Sequence, residues 1–347
     1  MSLSPSASHP DTWLKVTDAG LYCEPCDCFI DPHKPVARAV VTHGHADHAR
    51  AGHDALLATP ETLAIVKARY GEGAAQGFQP LAYGERLRLG DVTLWLAPAG
   101  HILGSAQVAI EWQGRRAVIS GDYKRRADPT CAPFELVPCD LYVTEATFGL
   151  PVFRHPPAEA EVARLLQSLG VFPERTHLVG AYALGKAQRL VRLLRLAGYE
   201  RPIYLHGAML ALMRLYVELG VDLGPLEPVG HLKGDQLAGE IVVAPPSAIA
   251  DRWSRRFSNP VTAVASGWMR VRARARQSRA ELPLVISDHA DWDELLATLR
   301  DVEASQVWVT HGNEEALCHA AAGLGVDARA LSLIGRGEAE QEAAPVA

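Results

Sequence analysis

The chain is predicted to fold as an α/β protein in which one domain is interrupted by a second and then resumed. Three observations predict this. Short apolar runs alternate with helical patterns along most of the 347 residues, as in α/β architectures. In the first part of the chain several of these runs end at a histidine or a carboxylate. After about residue 156 that pattern stops, and it resumes beyond Leu284.

Taken in order, Phe29-Ile30-Asp31 reads as a short strand entered from a turn, and Arg38 to Thr42 as a buried strand running into His43. Thr59 followed by Pro60 is a helix start, with a hydroxyl cap and proline in the first turn, and the helix is expected to reach about Tyr70. Val92 to Ala97 is expected to be a strand ending before Gly100-His101. Val108 to Trp112 and Arg115 to Ile119 flank Gln113-Gly114 and read as a hairpin whose second strand runs into Ser120-Gly121-Asp122. Leu141 to Thr144 is the next strand, with Glu145 directly after it.

Residues 156–265 read as an inserted α/β domain, with strands at 177–181, 202–205, 240–244 and 261–265 and helices at 186–197 and 208–219. Residues 13–155 and 266–335 are expected to form the two parts of the first domain. In the second part, strands at Leu284 to Ile286 and Val307 to Val309 lead to Ser287-Asp288-His289 and Thr310-His311-Gly312. Residues 1–12 and 336–347 are expected to be flexible tails.

Composition narrows the function classes. Hydrophobic residues make up 48% and charged residues 21%, which describes an ordinary globular protein. No run approaches the roughly 18 consecutive apolar residues that a membrane span needs. The N-terminus has neither a basic start nor an apolar stretch, so no secretory signal and no membrane contact are expected, and a cytoplasmic address follows. Net charge is −6, which argues against a non-specific nucleic-acid binder. A local series nevertheless runs Arg252, Arg255, Arg256, Arg270, Arg272, Arg274, Arg276 and Arg279. It reads either as a track for a nucleic-acid backbone or as a solvated surface. Cys23, Cys26 and Cys28 form a C-x2-C-x-C cluster. No matching second pair supplies four ligands, so the cluster reads as the turn leading into the strand at Phe29.

The chemistry is concentrated in His43-Gly44-His45-Ala46-Asp47-His48. Three imidazoles and a carboxylate within six residues suit divalent metals. So tight a loop cannot aim all four at one ion, but it can feed two. His43 and His45 would face one, and Asp47 and His48 the other. The later strand ends offer His101, Asp122 and His311, and a carboxylate such as Asp122 can bridge two ions. Paired divalent metals favour hydrolysis, because they lower the pKa of a water and neutralise charge on a phosphate or carbonyl oxygen. Zinc is the default, with manganese as the alternative for the active form.

These residues resemble a known family. H-x-H-x-D-H at 43–48, Gly100-His101 and Ser120-Gly121-Asp122 look like motifs of the metallo-β-lactamase superfamily. Asp31 is similar to its supporting aspartate behind the histidine loop. Glu145-Ala146-Thr147-Phe148-Gly149, Ser287-Asp288-His289-Ala290-Asp291 and Val309-Thr310-His311-Gly312 look like motifs A, B and C of the β-CASP nucleases. The resemblance implies an αββα sandwich carrying an inserted, shortened β-CASP-like cap. The compact length and the LYCEP…IDP…THGHADHA opening are most similar to bacterial ligase-associated DNA exonucleases.

That likeness implies roles. His43, His45 and His101 would hold one metal, Asp47, His48 and His311 the other, and Asp122 would bridge. His289 would touch the scissile phosphate and protonate the leaving oxygen, with Ser287 beside it and Glu145 orienting it. Lys186, in Ala183-Leu184-Gly185-Lys186-Ala187-Gln188, reads either as a phosphate ligand at a helix start or as a solvated lysine. The expected substrate is DNA, with RNA as the alternative. A DNA ligase and a helicase are the partners implied. The competing readings are an RNA-processing nuclease, a small-molecule ester or thioester hydrolase of the same superfamily, and a scaffold that has lost catalysis. The last is disfavoured because every ligand position is filled.

Overall fold

The computed structural model describes residues 8–232 and 234–331. In chain order the strands and helices are β1 (Leu14–Thr17), β2 (Gly20–Cys23), β3 (Cys28–Ile30), β4 (Arg38–Val40), β5 (His53–Ala58), α1 (Pro60–Tyr70), β6 (Ala75–Pro80), β7 (Leu87–Leu89), β8 (Val92–Pro98), β9 (Ala106–Trp112), β10 (Arg115–Ile119) and β11 (Leu141–Ala146). There follow α2 (Ala158–Val171), β12 (His177–Gly180), α3 (Lys186–Leu196), β13 (Ile203–Leu205), α4 (Leu210–Glu218), β14 (Leu226–Pro228), β15 (Ile241–Ala244), α5 (Pro246–Ala250), β16 (Val261–Ala265), α6 (Arg272–Gln277) and β17 (Leu282–Leu284). The chain closes with α7 (Trp292–Asp301), β18 (Gln306–Gly312), α8 (Glu314–Gly323) and β19 (Asp327–Ala330).

Two compact units result. Among the described residues, the first comprises 8–127, 131–150 and 290–331, and the second 128–130 and 151–289. In the first, a six-stranded sheet runs β1-β2-β3-β4-β5-β6 and a seven-stranded sheet runs β19-β18-β11-β10-β9-β8-β7. Side chains alternate along each strand. Leu94, Leu96, Val108 and Ile110 join Leu21, Ile30, Val40 and Leu57 from the other sheet in one core. Trp95, Ala97 and Ala109 point the other way, into a core shared with Trp292 and Leu295 of α7 and Leu317 of α8. On the outer face of the first sheet, Ala39, Val41 and Leu56 pack with Leu63 and Val66 of α1. The layers are therefore helix, sheet, sheet, helix, the αββα sandwich that the resemblance implies.

Local chemistry explains several elements. Thr59 caps α1 by accepting from Thr62 N–H, with Pro60 in the first turn. Gln113 and Gly114, at φ 51° and 77°, make the primed turn that joins β9 to β10.

The second unit holds a six-stranded sheet, β14-β13-β15-β12-β16-β17, parallel at every pairing. Its extent differs from the expectation. The last strand lies at Leu282–Leu284, earlier than the expected Leu284 to Ile286, and pairs with β16. Residues 266–289 therefore complete the second unit's sheet, and the first domain resumes at Ala290 instead of residue 266. The expected tail is also shorter at the start. Pro10–Thr12 form a 3-10 turn capped by His9, with Pro10 buried. Residues 1–7 and 336–347 lie outside the described residues.

Candidate metal centre

β3 and β4 deliver the histidine loop. Asp31, just past β3, takes φ 45° and turns its carboxylate under the loop. Its Oδ1 accepts from Thr42 N–H at 2.7 Å, and its Oδ2 accepts from the Thr42 hydroxyl and from His48 Nδ1–H, each at 2.7 Å. His48 Nδ1 therefore carries the proton, and Nε2 faces the centre. Gly44 is required at its position because a Cβ there would stand 2.4 Å from Ile65 Cγ2, on the buried face of α1.

The other donors arrive on loops after strands. His101 follows β8 and is held by Ser105 Oγ, which accepts from its N–H at 3.1 Å. Asp122 follows β10. Gly121, at φ 56°, sits against Thr42, where a Cβ would stand 2.6 Å from the hydroxyl. Glu145 and His311 lie within strands, near the ends of β11 and β18, instead of directly after them. The register between these strands shifts at Glu145/Ala146. At this bulge His311 takes φ 59°, and Gly312 at φ 116° lets Ala146 O approach. Bulges of this kind re-aim side chains next to sites.

Two groups of ligand atoms converge, each lying within 4.8 Å: His43, His45, His101 and Asp122, and His48, Asp122 and His311. His45 Nδ1 is 3.1 Å from His43 Nε2 and 3.0 Å from His101 Nε2. Asp122 belongs to both groups. Its Oδ2 lies 3.4 Å from His43 Nε2, 3.8 Å from His101 Nε2 and 3.4 Å from His48 Nε2, and its Oδ1 lies 3.5 Å from His311 Nδ1. Asp47 stands beside His48, with Oδ2 at 3.6 Å from Nε2, and joins neither group among the described residues.

The electrostatics follow from this crowding. Burial works against a charged His48, but Asp122, Asp47 and Asp31 together raise its pKa well above the usual histidine value. Burial likewise opposes ionisation of Asp47, and the neighbouring His48 outweighs it, so its pKa is lowered. Asp47 Oδ1 and His48 Nε2 are buried and make no hydrogen bond. Buried polar atoms are normally satisfied. Imidazole nitrogens and carboxylate oxygens gathered in this way are a donor set for divalent cations of the zinc type, so the residues present fit a pair of such ions.

A buried network steadies the Asp122 loop. Glu145 Oε1 accepts from Tyr123 N–H at 2.8 Å. Glu294 accepts from Lys124 Nζ at 3.1 Å and from Arg126 N–H at 2.6 Å. Burial opposes the charge on Glu294, but Lys124 and Arg126 overcome it and lower its pKa to about 2. Sequence reasoning missed Lys124 and Glu294. A signal existed in Asp291-x-x-Glu294, a capping-box spacing that α7 uses.

Ser287, His289 and Lys186 belong to the second unit. Ser287 Oγ accepts from His289 N–H at 3.1 Å, and His289 Nε2 lies 4.0 Å from Asp288 Oδ1. Lys186 is buried at the start of α3. Its Nζ lies 3.3 Å from Asp288 Oδ1 and 4.4 Å from the Tyr182 ring centre. It is not the solvated lysine of the plainer reading, because burial leaves its charge to be matched by Asp288.

Residues 31–175 match the family model of the metallo-beta-lactamase superfamily. A probable DNA ligase from Opitutus terrae is 30% identical over 300 residues, which is 84% of this chain and 28% of that protein. Ribonuclease TTHA0252 from Thermus thermophilus is 31% identical over 218 residues, covering 52% of this chain and 48% of its own length. An RNase J-like protein from Methanocaldococcus jannaschii is 25% identical over 255 residues, 60% of each. The chain thus spans less than two thirds of each of these relatives. Among solved structures, a protein of unknown function from Enterococcus faecalis V583 matches with a TM-score of 0.55 at 15% identity, over 88% of this chain and 81% of that one. That likeness bears on the fold alone. With its αββα layers, its paired ligand groups and the match over residues 31–175, the chain carries a metallo-β-lactamase superfamily domain.

Proposed function

We propose that the protein is a two-metal phosphodiesterase that hydrolyses nucleic acid, and specifically a DNA exonuclease acting in DNA-end processing or repair. The observation that carries the reading is Asp122, which both ligand groups share: its Oδ2 lies beside His43 of one set and His48 of the other, and its Oδ1 beside His311. His43, His45, His101 and Asp122 would hold one ion, and His48, Asp122 and His311 the other, with Asp47 at its side. Divalent cations bound there supply an activated water and neutralise charge on phosphate oxygens.

The chain's own groups do the remaining work. Asp31 fixes the His48 tautomer. Lys124 and Glu294 hold the Asp122 loop. His289 is assigned the proton donation to the leaving oxygen, and Lys186 supports it by neutralising Asp288. Exposed Arg270, Arg272, Arg274 and Arg276 on the second unit, with Arg274 stacked on Trp268 at 4.9 Å, suit contacts to a phosphate backbone. DNA is favoured because the relative named as a probable DNA ligase aligns with most of this chain, whereas the ribonucleases align with less of it. A DNA ligase and, from the motif resemblance, a helicase are the partners this reading implies. Zinc is the expected metal, with manganese the alternative for activity.

The test is digestion of 5′- and 3′-labelled single- and double-stranded DNA beside matched RNA, with and without chelator. Metal-dependent shortening of DNA from an end is expected. Asp122→Ala should abolish it in a folded protein, and His289→Ala should slow it without loss of metal. Cleavage of RNA alone would transfer the reading to RNA processing. Thioester hydrolysis with neither polymer cut would overturn it.

A further inference from the structure

Cys23, Cys26 and Cys28 lie in and beside the turn that leads into β3, as their spacing suggests, and the turn brings their side chains together. Cys23 ends β2, Cys28 begins β3, and the two are direct cross-strand partners. Between them Glu24–Cys26 form a 3-10 turn, and Asp27 takes φ 48° to reverse the chain. This geometry folds Cys26 back onto the pair. The three sulfurs lie within 4.8 Å of one another, and Cys26 Sγ is 2.7 Å from Cys28 Sγ. All three residues are buried, at 0%, 4% and 1% exposure, in the core formed with Trp13, Leu14, Leu21 and Ile30.

The gathering of the sulfurs sets this cluster apart from ordinary core cysteines. Donor atoms on a common ion at zinc–sulfur length lie no more than about 4.6 Å apart, and these sulfurs are already gathered to about that spacing. Thiolates select soft metals.

We propose that Cys23, Cys26 and Cys28 form a second metal site, a three-thiolate site for a soft d10 cation, zinc or copper(I), separate from the histidine and aspartate centre. Its three protein ligands come from a single hairpin, so it can assemble on β2 and β3 alone. Because β3 runs on to Asp31, an ion held there also anchors the strand that supports the histidine loop.

The experiment uses the full reduced chain in two arms. In the first, cobalt(II) replaces zinc. A thiolate-to-cobalt charge-transfer band is expected in the wild type and in Asp122→Ala, where the other centre is disabled, and zinc should displace it. In the second, copper(I) is titrated against a chromophoric chelator, and withdrawal of copper(I) with no cobalt band assigns the site to copper. Cys26→Ser, checked for folding by circular dichroism, should lose the signal in whichever arm shows it. If the folded wild type shows no charge-transfer band and withdraws no copper(I), or if the signal survives Cys26→Ser, the proposal is overturned. The wild-type titrations decide the matter even if the variant fails to fold.

Discussion

Replacing Asp31 with asparagine perturbs the candidate centre without touching any of its converging ligand atoms. The carboxylate accepts three hydrogen bonds, two from Thr42 and one from His48 Nδ1–H. In Asp31→Asn the amide oxygen can keep the bond from Thr42 N–H. The amide nitrogen then faces two donors. If His48 keeps its tautomer, two charge-assisted acceptances are lost in a buried site, at about 1.5–3 kcal/mol each. If the imidazole shifts its proton to Nε2, that strain is relieved, but Nε2 is the atom that faces Asp122. Either route weakens metal binding. Loss of such a supporting carboxylate typically lowers affinity by 10–100-fold, or about 1.4–2.7 kcal/mol. The assay is competition for zinc against a chromophoric chelator, run well below the variant's unfolding temperature, with thermal unfolding of the metal-free protein measured alongside. Unchanged affinity in a folded Asp31→Asn protein would refute the role assigned to this carboxylate.

Gly44→Ala should destabilise the metal-free protein by about 1–3 kcal/mol through overpacking against Ile65. Ile65→Ala should restore part of that loss, so the two changes should be clearly non-additive in a double-mutant cycle; additive losses would sink the steric explanation. Glu294 has its folded pKa lowered from 4.5 to about 2. Its contribution is therefore fully present above about pH 4.5 and is lost as pH falls toward 2, with a size of about 3 kcal/mol. Denaturant unfolding of Glu294→Gln and wild type should differ most near neutral pH and converge on acidification, and a pH-independent gap would contradict the ion-pair origin.

The donors of the centre are largely legible in the sequence because His43, His45 and His48 fall within six residues, and the others stand beside glycines at loop or strand ends. The helix over Pro60–Tyr70 and the hairpin around Gln113-Gly114 are legible for similarly local reasons: a cap, a proline and a primed turn. What escapes depends on distant partners. β5, His53–Ala58, is built partly from alanine and leucine, and it is a strand because β4 and β6 flank it. β6 is an edge strand, where Gly77 and Pro80 are tolerated. The end of the second unit's sheet is invisible locally, since Leu282-Pro283-Leu284 becomes a strand only against β16. Lys124 and Glu294 find each other across the long interval between Asp122 and α7. The cysteine trio is readable as a spacing, but its convergence depends on the register of β2 against β3.

The pairing of β11 with β18, in which Glu145 stands opposite Thr310, has a consequence for how the molecule is made. On a ribosome β11 emerges early, yet its partner emerges only after the whole second unit has been synthesised. Until then the seven-stranded sheet ends at an open, apolar edge of the kind that recruits other chains. His311 arrives with that same late strand, so a nascent or prematurely terminated chain would combine an aggregation-prone edge with a centre lacking that imidazole. Closing the edge and supplying His311 are one event in biosynthesis, and truncations that stop before β18 should be found in inclusion bodies instead of as weakly active soluble fragments.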